Sequence, residues 1–250
     1  MIRNVTIQTD ALMTAGIQQP IHEREYFKSA HRNHCMIPVS IAFSTKTAII
    51  DKDKLKVNEG KHAMIGLKRG TVELVPYRKE WSENAEHIIR LLKQLLGDTA
   101  VDIQHVGSTA ISLIHAKPII DISVAVYDLN DILPYVEVLK QHHVIFRGEV
   151  IAGEVLFVMG DDEIRTHHIH IVKWNGTEWN NYINFRDFLN AYPEKAMLYD
   201  SCKQKLAMQF PNDRKSYTAG KEEIIQRLLT ESRIWKSKLT ATISGLQNKK

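Results

Sequence analysis

The sequence predicts an α+β domain, in which a mixed β-sheet is flanked by helices and the C-terminal part is helical. Strand-like and helical segments intermix from about residue 64, and only helical periodicity follows the last strand-like run, "RTHHIHIVKW". Apolar residues make up 44% of the chain and charged residues 25%, which is the balance of an ordinary globular protein. We therefore expect one folded domain over residues 64–238.

The two flanking segments differ from this central region. Residues 1–63 hold polar clusters and a lysine-rich stretch without helix-length periodicity. We expect them to be a weakly structured extension, or the product of a mis-assigned start upstream of Met64. Residues 239–250 predict a polar C-terminal tail.

Charge and composition exclude several classes of function. The net charge of +4 comes from scattered basic residues, so nucleic-acid binding is not expected. No window of about 18 apolar residues occurs, so no membrane span is predicted. The N-terminus lacks a secretion signal, and Cys35 and Cys202 match no metal or redox spacing. We expect a cytoplasmic protein, and the sequence indicates no particular protein partner.

The elements of the first half follow one another at short intervals. "TVELVPY" is typical of a short strand that ends at Pro76. "EWSENAEHIIRLLKQLLG" repeats apolar residues at helical spacing and predicts a helix closed by Gly97. "VDIQHV" predicts a strand, "STAISLIH" a short helix after a Gly-Ser turn, and "PIIDISVAV" a second strand.

The second half begins with "NDILPYVEVLKQHH", which predicts a helix capped at Asn130. "EVLFVMG" and "RTHHIHIVKW" are expected to be two strands that "DDEI" joins in a hairpin. Helices should then cover roughly residues 178–191, 194–210 and 221–235.

One carboxylate, Asp121, stands inside the apolar run "PIIDISVAV". Side chains alternate along a strand, so Ile120 and Ile122 belong to an apolar face while Asp121 and Ser123 share the other face. A buried, unpaired carboxylate is strongly disfavoured, so Asp121 needs a cation, a network of donors or solvent. A nearby lysine or arginine would satisfy this need as well as a ligand site would.

The turn at Gly107 and Ser108 favours a ligand site. It lies between a strand and a short helix, where backbone N–H groups attract an anion. A Gly-Ser turn, a spacer of twelve residues and then an acid in an apolar strand resembles the nucleotidyltransferase signature. In that superfamily the turn holds nucleotide phosphates, and two strand acids two residues apart bind Mg²⁺. Ser123 stands here at the position of the second acid.

The run "RTHHIHIV" offers a second constellation. His168 and His170 share one strand face, whereas His167 faces the other way. Two imidazoles at this spacing can chelate a transition metal, or contact phosphate when protonated. Three histidines on an exposed edge strand are the alternative. Arg165, at the start of the strand, could pair with phosphate or with a nearby aspartate.

Several motifs in fixed order resemble the GrpB family: "HVGSTA", "KPIIDI", "RTHHIHIV", "FRDFLNAYPE", "KQKLA" and "YTAGKEEII". The family's domain is also found fused to some bacterial dephospho-CoA kinases. The resemblance covers about Met64 to Trp235 and implies a nucleotidyltransferase-like fold. The motif residues that it marks are His105, Gly107, Ser108, Lys117, Asp121, Arg165, His168, His170, Tyr217 and Lys221.

The resemblance implies a protein that binds a nucleotide or a phosphorylated small molecule, with metal-dependent nucleotidyl transfer as its enzymatic form. Asp121 would then hold a Mg²⁺ ion, and His168 or His170 would serve as a further metal ligand or as a general base. The expected contacts to phosphate are Gly107, Ser108, Lys117, Arg165 and Lys221.

A non-catalytic ligand-binding or protein-interaction domain is the alternative. Ser123 favours it, because a hydroxyl is a poor Mg²⁺ ligand beside a carboxylate. Glu73 and Glu154 are the candidates for a further acid, and the sequence places neither. No G-x-x-x-x-G-K-[ST] loop occurs, so kinase activity is not expected. Where related sequences usually have Val-Pro-Gly-Leu, this chain has Ile111–Ile114, and the turn is expected to be more helical there.

Overall fold

The computed structural model describes residues 65–247, and a six-stranded mixed sheet lies at its centre. The strands are β1 (Leu67–Lys68), β2 (Asp102–Val106), β3 (Ile120–Val126), β4 (Ile145–Ile151), β5 (Glu154–Gly160) and β6 (Ile164–Lys173). Their order is β2-β3-β6-β5-β4, and β1 pairs with the start of β6. β3 and β6 run parallel, while the other pairs of this sheet are antiparallel. Side chains of one face of β3 and β6 therefore lie next to one another.

Helices cover both faces of the sheet. They are α1 (Lys79–Leu96), α2 (Val136–Gln141), α3 (Thr177–Ala191), α4 (Pro193–Gln209), α5 (Arg214–Gly220) and α6 (Glu222–Gln247). Buried residues of α1 and α2 pack on one face of the sheet, and those of α3, α4 and α6 pack on the other. β3 is consequently buried along its whole length.

The face under α1 is apolar. α1 buries a stripe at helical spacing that includes Trp81, Ala85, Ile88 and Leu92. This stripe packs on Ile120 and the other apolar residues of the same face of β3, in the larger of the two hydrophobic clusters. Burying a large apolar side chain contributes about 1.5–3 kcal/mol, so this cluster is the main source of stability on that side.

The face under α3 and α6 combines apolar and polar residues. Val106, Ala125 and Val172 pack against these helices in a second hydrophobic cluster. Asp121 and His170 are buried on the same face, with 7% and 2% of their surfaces exposed. The alternation predicted for "PIIDISVAV" and "RTHHIHIV" therefore holds, and it sets the polar side chains between the sheet and the helices.

The predicted α+β fold class is confirmed: a mixed sheet is flanked by helices, and the C-terminal part is helical. The predicted hairpin is formed by β5 and β6. The helix expected to close at Gly97 is α1, and Gly97 has a φ of 52° at its C-cap. The helices expected at residues 178–191 and 194–210 are α3 and α4.

Two predicted elements of the first half are wrong. "TVELVPY" is not a strand, because Val75 makes only an isolated bridge to Ala116. "STAISLIH" forms a single 3-10 turn at Ser108–Ala110 instead of a helix. The helical turn expected at Ile111–Ile114 is also absent from the described structure, and Ile111 and Ile114 are buried there in the second hydrophobic cluster.

The structure also departs from prediction at one cap and at two strands. The helix predicted to be capped at Asn130 is capped by Asp128, whose side chain accepts a hydrogen bond from the Asn130 backbone N–H. A 3-10 helix over Leu129–Tyr135 precedes α2. β1 and β4 were not predicted, because β1 has two residues and the register of β4 shifts beside Gly148, which blurs its alternation.

The C-terminal helix is longer than predicted. α6 runs from Glu222 through Gln247, so residues 239–247 are helical where a polar tail was expected. The predicted boundary at residue 238 stays a prediction, and the expected extension, residues 1–63, lies outside the described residues. Within residues 65–247, no helix combines the length and the apolar character that a bilayer span requires.

Candidate functional site

Three predicted site residues meet where β3 and β6 run side by side. Asp121 lies opposite His168 in the parallel register. The His168 Nδ1 lies 3.0 Å from the Asp121 Oδ1, and the His170 Nε2 lies 3.4 Å from the same oxygen. One possible ligand atom from each residue lies within 4.8 Å of the other two. The sequence spacing thus becomes a compact, buried His-His-Asp group.

A carboxylate and a phenol hold His170 from behind. Glu154 of β5 lies on the same face of the sheet, and its Oε1 is 2.7 Å from the His170 Nδ1. Tyr182 of α3 donates its hydroxyl to the other Glu154 oxygen at 2.8 Å. A histidine that binds a metal commonly donates its second N–H to a carboxylate in this way. Glu154 is therefore the further acid on this face, whereas Glu73, the other candidate, is exposed.

The hydrogen-bond network gives its titratable side chains different charges. Burial alone would raise the pKa of Asp121, but hydrogen bonds with His168 and His170 outweigh it and lower the pKa to about 2. Burial disfavours the charged form of His170, yet Glu154 and Asp121 overcome it and raise its pKa to about 10. Burial lowers the pKa of His168, although its hydrogen bond with Asp121 opposes the shift. An anion, a cation and a neutral imidazole are thus adjacent at neutral pH.

The donor set decides which ion these residues fit. The resemblance implies a Mg²⁺ ion at Asp121, and two such ions where a second acid is present; Mg²⁺ prefers oxygen ligands in octahedral geometry. Here one carboxylate is accompanied by two imidazoles, and the second-acid position holds Ser123. The buried His168 Nε2 has no hydrogen-bond partner among the described residues, and its lone pair is available because Nδ1 donates to Asp121. The set does not fit a Mg²⁺ pair, and it fits one ion that accepts imidazole nitrogen.

Gly107 is required by its conformation and by its neighbour. Its φ of 70° is unfavourable for any residue with a β-carbon. A β-carbon at this position would also contact the Asp121 carboxylate, with the Asp121 Cγ only 2.9 Å away. The Gly-Ser turn therefore lies directly against the acid, which explains why the two motifs occur together.

A cation-rich cleft opens beside this turn. Ser108, Lys117, Asp121, Lys203 and Tyr217 line it. Lys117 and Lys203 are buried, with 6% and 1% of their surfaces exposed. Its enclosed part has a volume of about 20 Å³, room for one water molecule, so a larger ligand lies in the open part or displaces the lysine side chains.

Lys221, at the junction of α5 and α6, does not line this cleft but lies against Tyr217, which does. Its Nζ lies 4.6 Å from the centroid of the Tyr217 ring, and the Lys117 Nζ lies 5.5 Å from that centroid. Lys221 has 1% of its surface exposed. Two predicted phosphate partners thus share one aromatic neighbour, which brings together residues about a hundred positions apart.

Two residues that the sequence marked lie elsewhere. Arg165 is buried at the start of β6 and does not line the cleft. Burial and, to a smaller extent, the neighbouring arginines, of which Arg147 has the largest effect, together lower its pKa to about 10. His105 pairs with Ile122 in register, on the apolar face of the sheet, and its Nε2 lies 2.9 Å from the Thr109 Oγ1. His105 therefore stabilises the Gly-Ser turn through its hydrogen bond with Thr109, which follows Ser108.

Sequence reasoning missed the residues that the C-terminal helices contribute. Asp200 of α4 accepts hydrogen bonds from the His115 backbone N–H at 2.8 Å and from its Nδ1 at 2.9 Å. Lys203, one turn later, donates to the His115 carbonyl oxygen and lies 3.8 Å from Asp200. No local pattern indicates these residues, because their partners lie more than eighty residues away in the chain.

The fold and the site together define an α+β protein with a buried His-His-Asp group between its mixed sheet and its helices. The GrpB protein family matches residues 71–231. Glutamate-rich protein GrpB of Alkalihalophilus pseudofirmus is 39% identical over 173 residues, which are 67% of this chain and 99% of that protein. The chain belongs to the GrpB family, as the sequence motifs predicted.

A solved structure and a kinase extend this relationship. The crystal structure of conserved protein GrpB from Enterococcus faecalis matches with a TM-score of 0.59 and 28% identity, over 64% of this chain and 98% of that chain. A dephospho-CoA kinase of Mycolicibacterium paratuberculosis is 28% identical over 183 residues, which are 62% of this chain and 44% of the kinase. The expected occurrence of the domain in such kinases is therefore confirmed.

Proposed function

We propose that this GrpB-family protein binds a phosphate-containing ligand, such as a nucleotide, in the cleft beside Ser108. The observation that carries the proposal is the convergence of buried lysines on that cleft. Lys117 and Lys203 line it, and Lys221 lies against the Tyr217 ring that forms part of its wall. Ammonium groups in a poorly solvated cleft attract phosphate, and hydrogen bonds to charged groups are stronger than neutral ones.

Carboxylates shape what the cleft accepts. Asp200 lies near Lys203, and the ionised Asp121 forms part of the lining. A phosphate placed next to Asp121 would be repelled unless a cation stood between them. One divalent ion held by Asp121, His168 and His170 would supply that cation, and it forms the second part of the proposal.

These residues support the binding of a ligand and not the transfer of a nucleotidyl group. Ser123 occupies the second-acid position, and its buried Oγ has no hydrogen-bond partner among residues 65–247. A catalytic role for Asp121, His168 and His170 stays a prediction. The cytoplasmic location expected from the sequence also stays a prediction.

Calorimetric titration with sodium tripolyphosphate and with nucleoside triphosphates, in the presence of Mn²⁺, tests the phosphate cleft. Lys117→Met should weaken the binding of every one of these probes by about tenfold or more, since a hydrogen bond to a charged group is lost. Lys140→Met is the matched control, because Lys140 is an exposed lysine of α2 on the opposite face of the sheet. No binding by the wild type, or equal binding by the two variants, would contradict the proposal.

Titration with Zn²⁺, Mn²⁺ and Mg²⁺ tests the ion. We expect Zn²⁺ and Mn²⁺ to bind more tightly than Mg²⁺, because two of the three ligands are imidazoles. His170→Gln should weaken the binding of both transition metals, whereas His87→Gln, which changes an exposed histidine of α1, should not. Preferential binding of Mg²⁺, or equal affinities in the two variants, would remove the ion from the proposal.

A further inference from the structure

A second cleft also adjoins the Gly-Ser turn. Its lining includes Ser108 together with Asn181, Phe185, Tyr199, Ile225 and Leu229. Ser108 also lines the cation-rich cleft, so the two clefts meet at this residue. The first cleft is lined by lysines, and the second by aromatic and aliphatic side chains.

The aromatic residues of the second cleft give it a defined shape. Phe185 and Tyr199 pack edge to face, with ring centroids 5.4 Å apart and planes at 89°. Ile225 and Leu229, on one side of α6, add aliphatic surface. The enclosed part of this cleft is about 20 Å³, so a flat ring would lie in its open part, against these aromatic and aliphatic side chains. Small-molecule sites typically add a few polar groups that fix the orientation of the ligand.

Asn181 supplies such a polar group. Its side-chain Oδ1 accepts a hydrogen bond from the Arg233 Nε at 2.9 Å. An arginine N–H can only donate, so the contacted atom must be the amide oxygen, and the orientation of the amide is fixed. The Asn181 Nδ2 then has no hydrogen-bond partner among residues 65–247, although the residue has only 1% of its surface exposed.

An unsatisfied, buried donor is unfavourable, by about 1–3 kcal/mol, and native proteins rarely keep one without a reason. A ligand atom that accepts a hydrogen bond from the Asn181 Nδ2 would remove this cost. Because the amide is recessed, an exocyclic carbonyl oxygen, which projects beyond a ring, reaches it better than a ring nitrogen does.

We propose that the second cleft is a nucleobase subsite, in which the Asn181 Nδ2 donates a hydrogen bond to a carbonyl oxygen of the base. This inference rests on the proposed function, because the phosphates of the same nucleotide would lie in the lysine-lined cleft across Ser108. Uracil, cytosine and guanine carry such an oxygen and adenine does not. The subsite therefore selects UTP, CTP or GTP over ATP.

Calorimetric titration with UTP, CTP, GTP, ATP and sodium tripolyphosphate, in the presence of Mn²⁺, tests the subsite. In the wild type, the best carbonyl-bearing nucleotide should bind several-fold more tightly than ATP and than tripolyphosphate. Asn181→Leu, which introduces a side chain of nearly the same size, should lower the affinity for that nucleotide by about tenfold, the effect of one lost hydrogen bond. It should leave the affinity for tripolyphosphate unchanged.

Two further variants separate recognition from folding. Asn181→Asp keeps an oxygen that accepts from Arg233 but puts a second oxygen in place of the donor Nδ2. It should therefore lower the affinity for the carbonyl-bearing nucleotides as well. Asn184→Leu is the matched control, because Asn184 is a buried asparagine of the same helix that does not line the cleft. It should bind all five probes as the wild type does.

The outcomes distinguish the two proposals. If the wild type binds none of the probes, the phosphate cleft and the base subsite both fail. If tripolyphosphate binds as tightly as every nucleotide, or ATP as tightly as UTP, CTP and GTP, the base subsite alone fails. The base subsite also fails if Asn181→Leu lowers the affinities for tripolyphosphate and for the nucleotides by the same factor.

Discussion

The two faces of β6 treat an imidazole in opposite ways. His167 faces α1, where its Nε2 lies 2.6 Å from the Asn84 Oδ1, and burial lowers its pKa to about 3. His170, three residues later, faces α3, where Glu154 and Asp121 raise its pKa to about 10 despite equal burial. The difference arises from the partners, because both side chains are almost fully buried.

This comparison shows how one strand can serve two purposes. On the face under α1, which carries the larger hydrophobic cluster, His167 is neutral, and its Nε2 is hydrogen-bonded to the neutral amide oxygen of Asn84. On the other face, Glu154 and Asp121 keep His170 protonated, and a metal ion could replace that proton at the imidazole nitrogen. Burial by itself therefore does not indicate function, and the charges packed against a buried group do.

The largest expected effect comes from breaking the apolar face. Phe157→Ala removes a fully buried ring that contacts Phe146 at a centroid distance of 5.2 Å. We expect the free energy of unfolding to fall by about 3–5 kcal/mol, since the cavity adds to the lost transfer free energy. Urea unfolding measures this loss. Affinity for Zn²⁺ in the folded variant should not change, and a parallel loss of affinity would show that the two faces are coupled.

A smaller effect on stability but a larger one on binding is expected on the polar face. Glu154→Gln keeps the shape of the side chain that receives the Tyr182 hydroxyl, and removes the charge next to His170. We expect affinity for Zn²⁺ to fall by about 10–100-fold, as for other residues that orient a metal ligand. Isothermal titration measures it, with Glu73→Gln, at an exposed glutamate, as the matched control. Unchanged affinity in Glu154→Gln would mean that Glu154 does not orient His170.

The alternation of side chains explains why part of the site could be predicted from the sequence. Asp121, His168 and His170 lie on two strands that became neighbours, and a period of two assigns all three to one face without knowledge of the fold. Gly107 was also predictable, because a Gly-Ser turn before a short helix indicates a special backbone conformation.

The rest depends on how helices dock, which local patterns do not encode. Asn181 and Lys203 lie on helices with weak amphipathic character, so their periodicity does not show which side faces the sheet. The partner of Asn181, Arg233, is 52 residues further along the chain. The wrong strand prediction at "TVELVPY" has a related cause, since β1 is the element that pairs with the start of β6. Tertiary pairing overrode a local preference there.

The smallest expected effect is a change in how steeply the free energy of unfolding varies with pH. It sharpens the comparison of the two faces. His105 and His167 have folded-state pKa values of about 4 and about 3, below the ordinary value of 6.5. Their contribution to stability is present above pH 6.5 and is lost as the pH falls, because only the unfolded chain then binds the protons. His170 has the opposite sign: its contribution is complete below pH 6.5 and is lost as the pH rises to about 10.

Stability should therefore fall on both sides of a maximum near pH 6.5. Urea unfolding from about pH 5 to about pH 9, with a chelator present, measures both limbs. His167→Gln should make the acid limb shallower by about 1.4 kcal/mol per pH unit, the effect of one proton, and leave the alkaline limb unchanged. His170→Gln should do the reverse. An acid limb in His167→Gln as steep as in the wild type would show that His167 already binds a proton in the folded protein, and the two faces of β6 would then not differ as described.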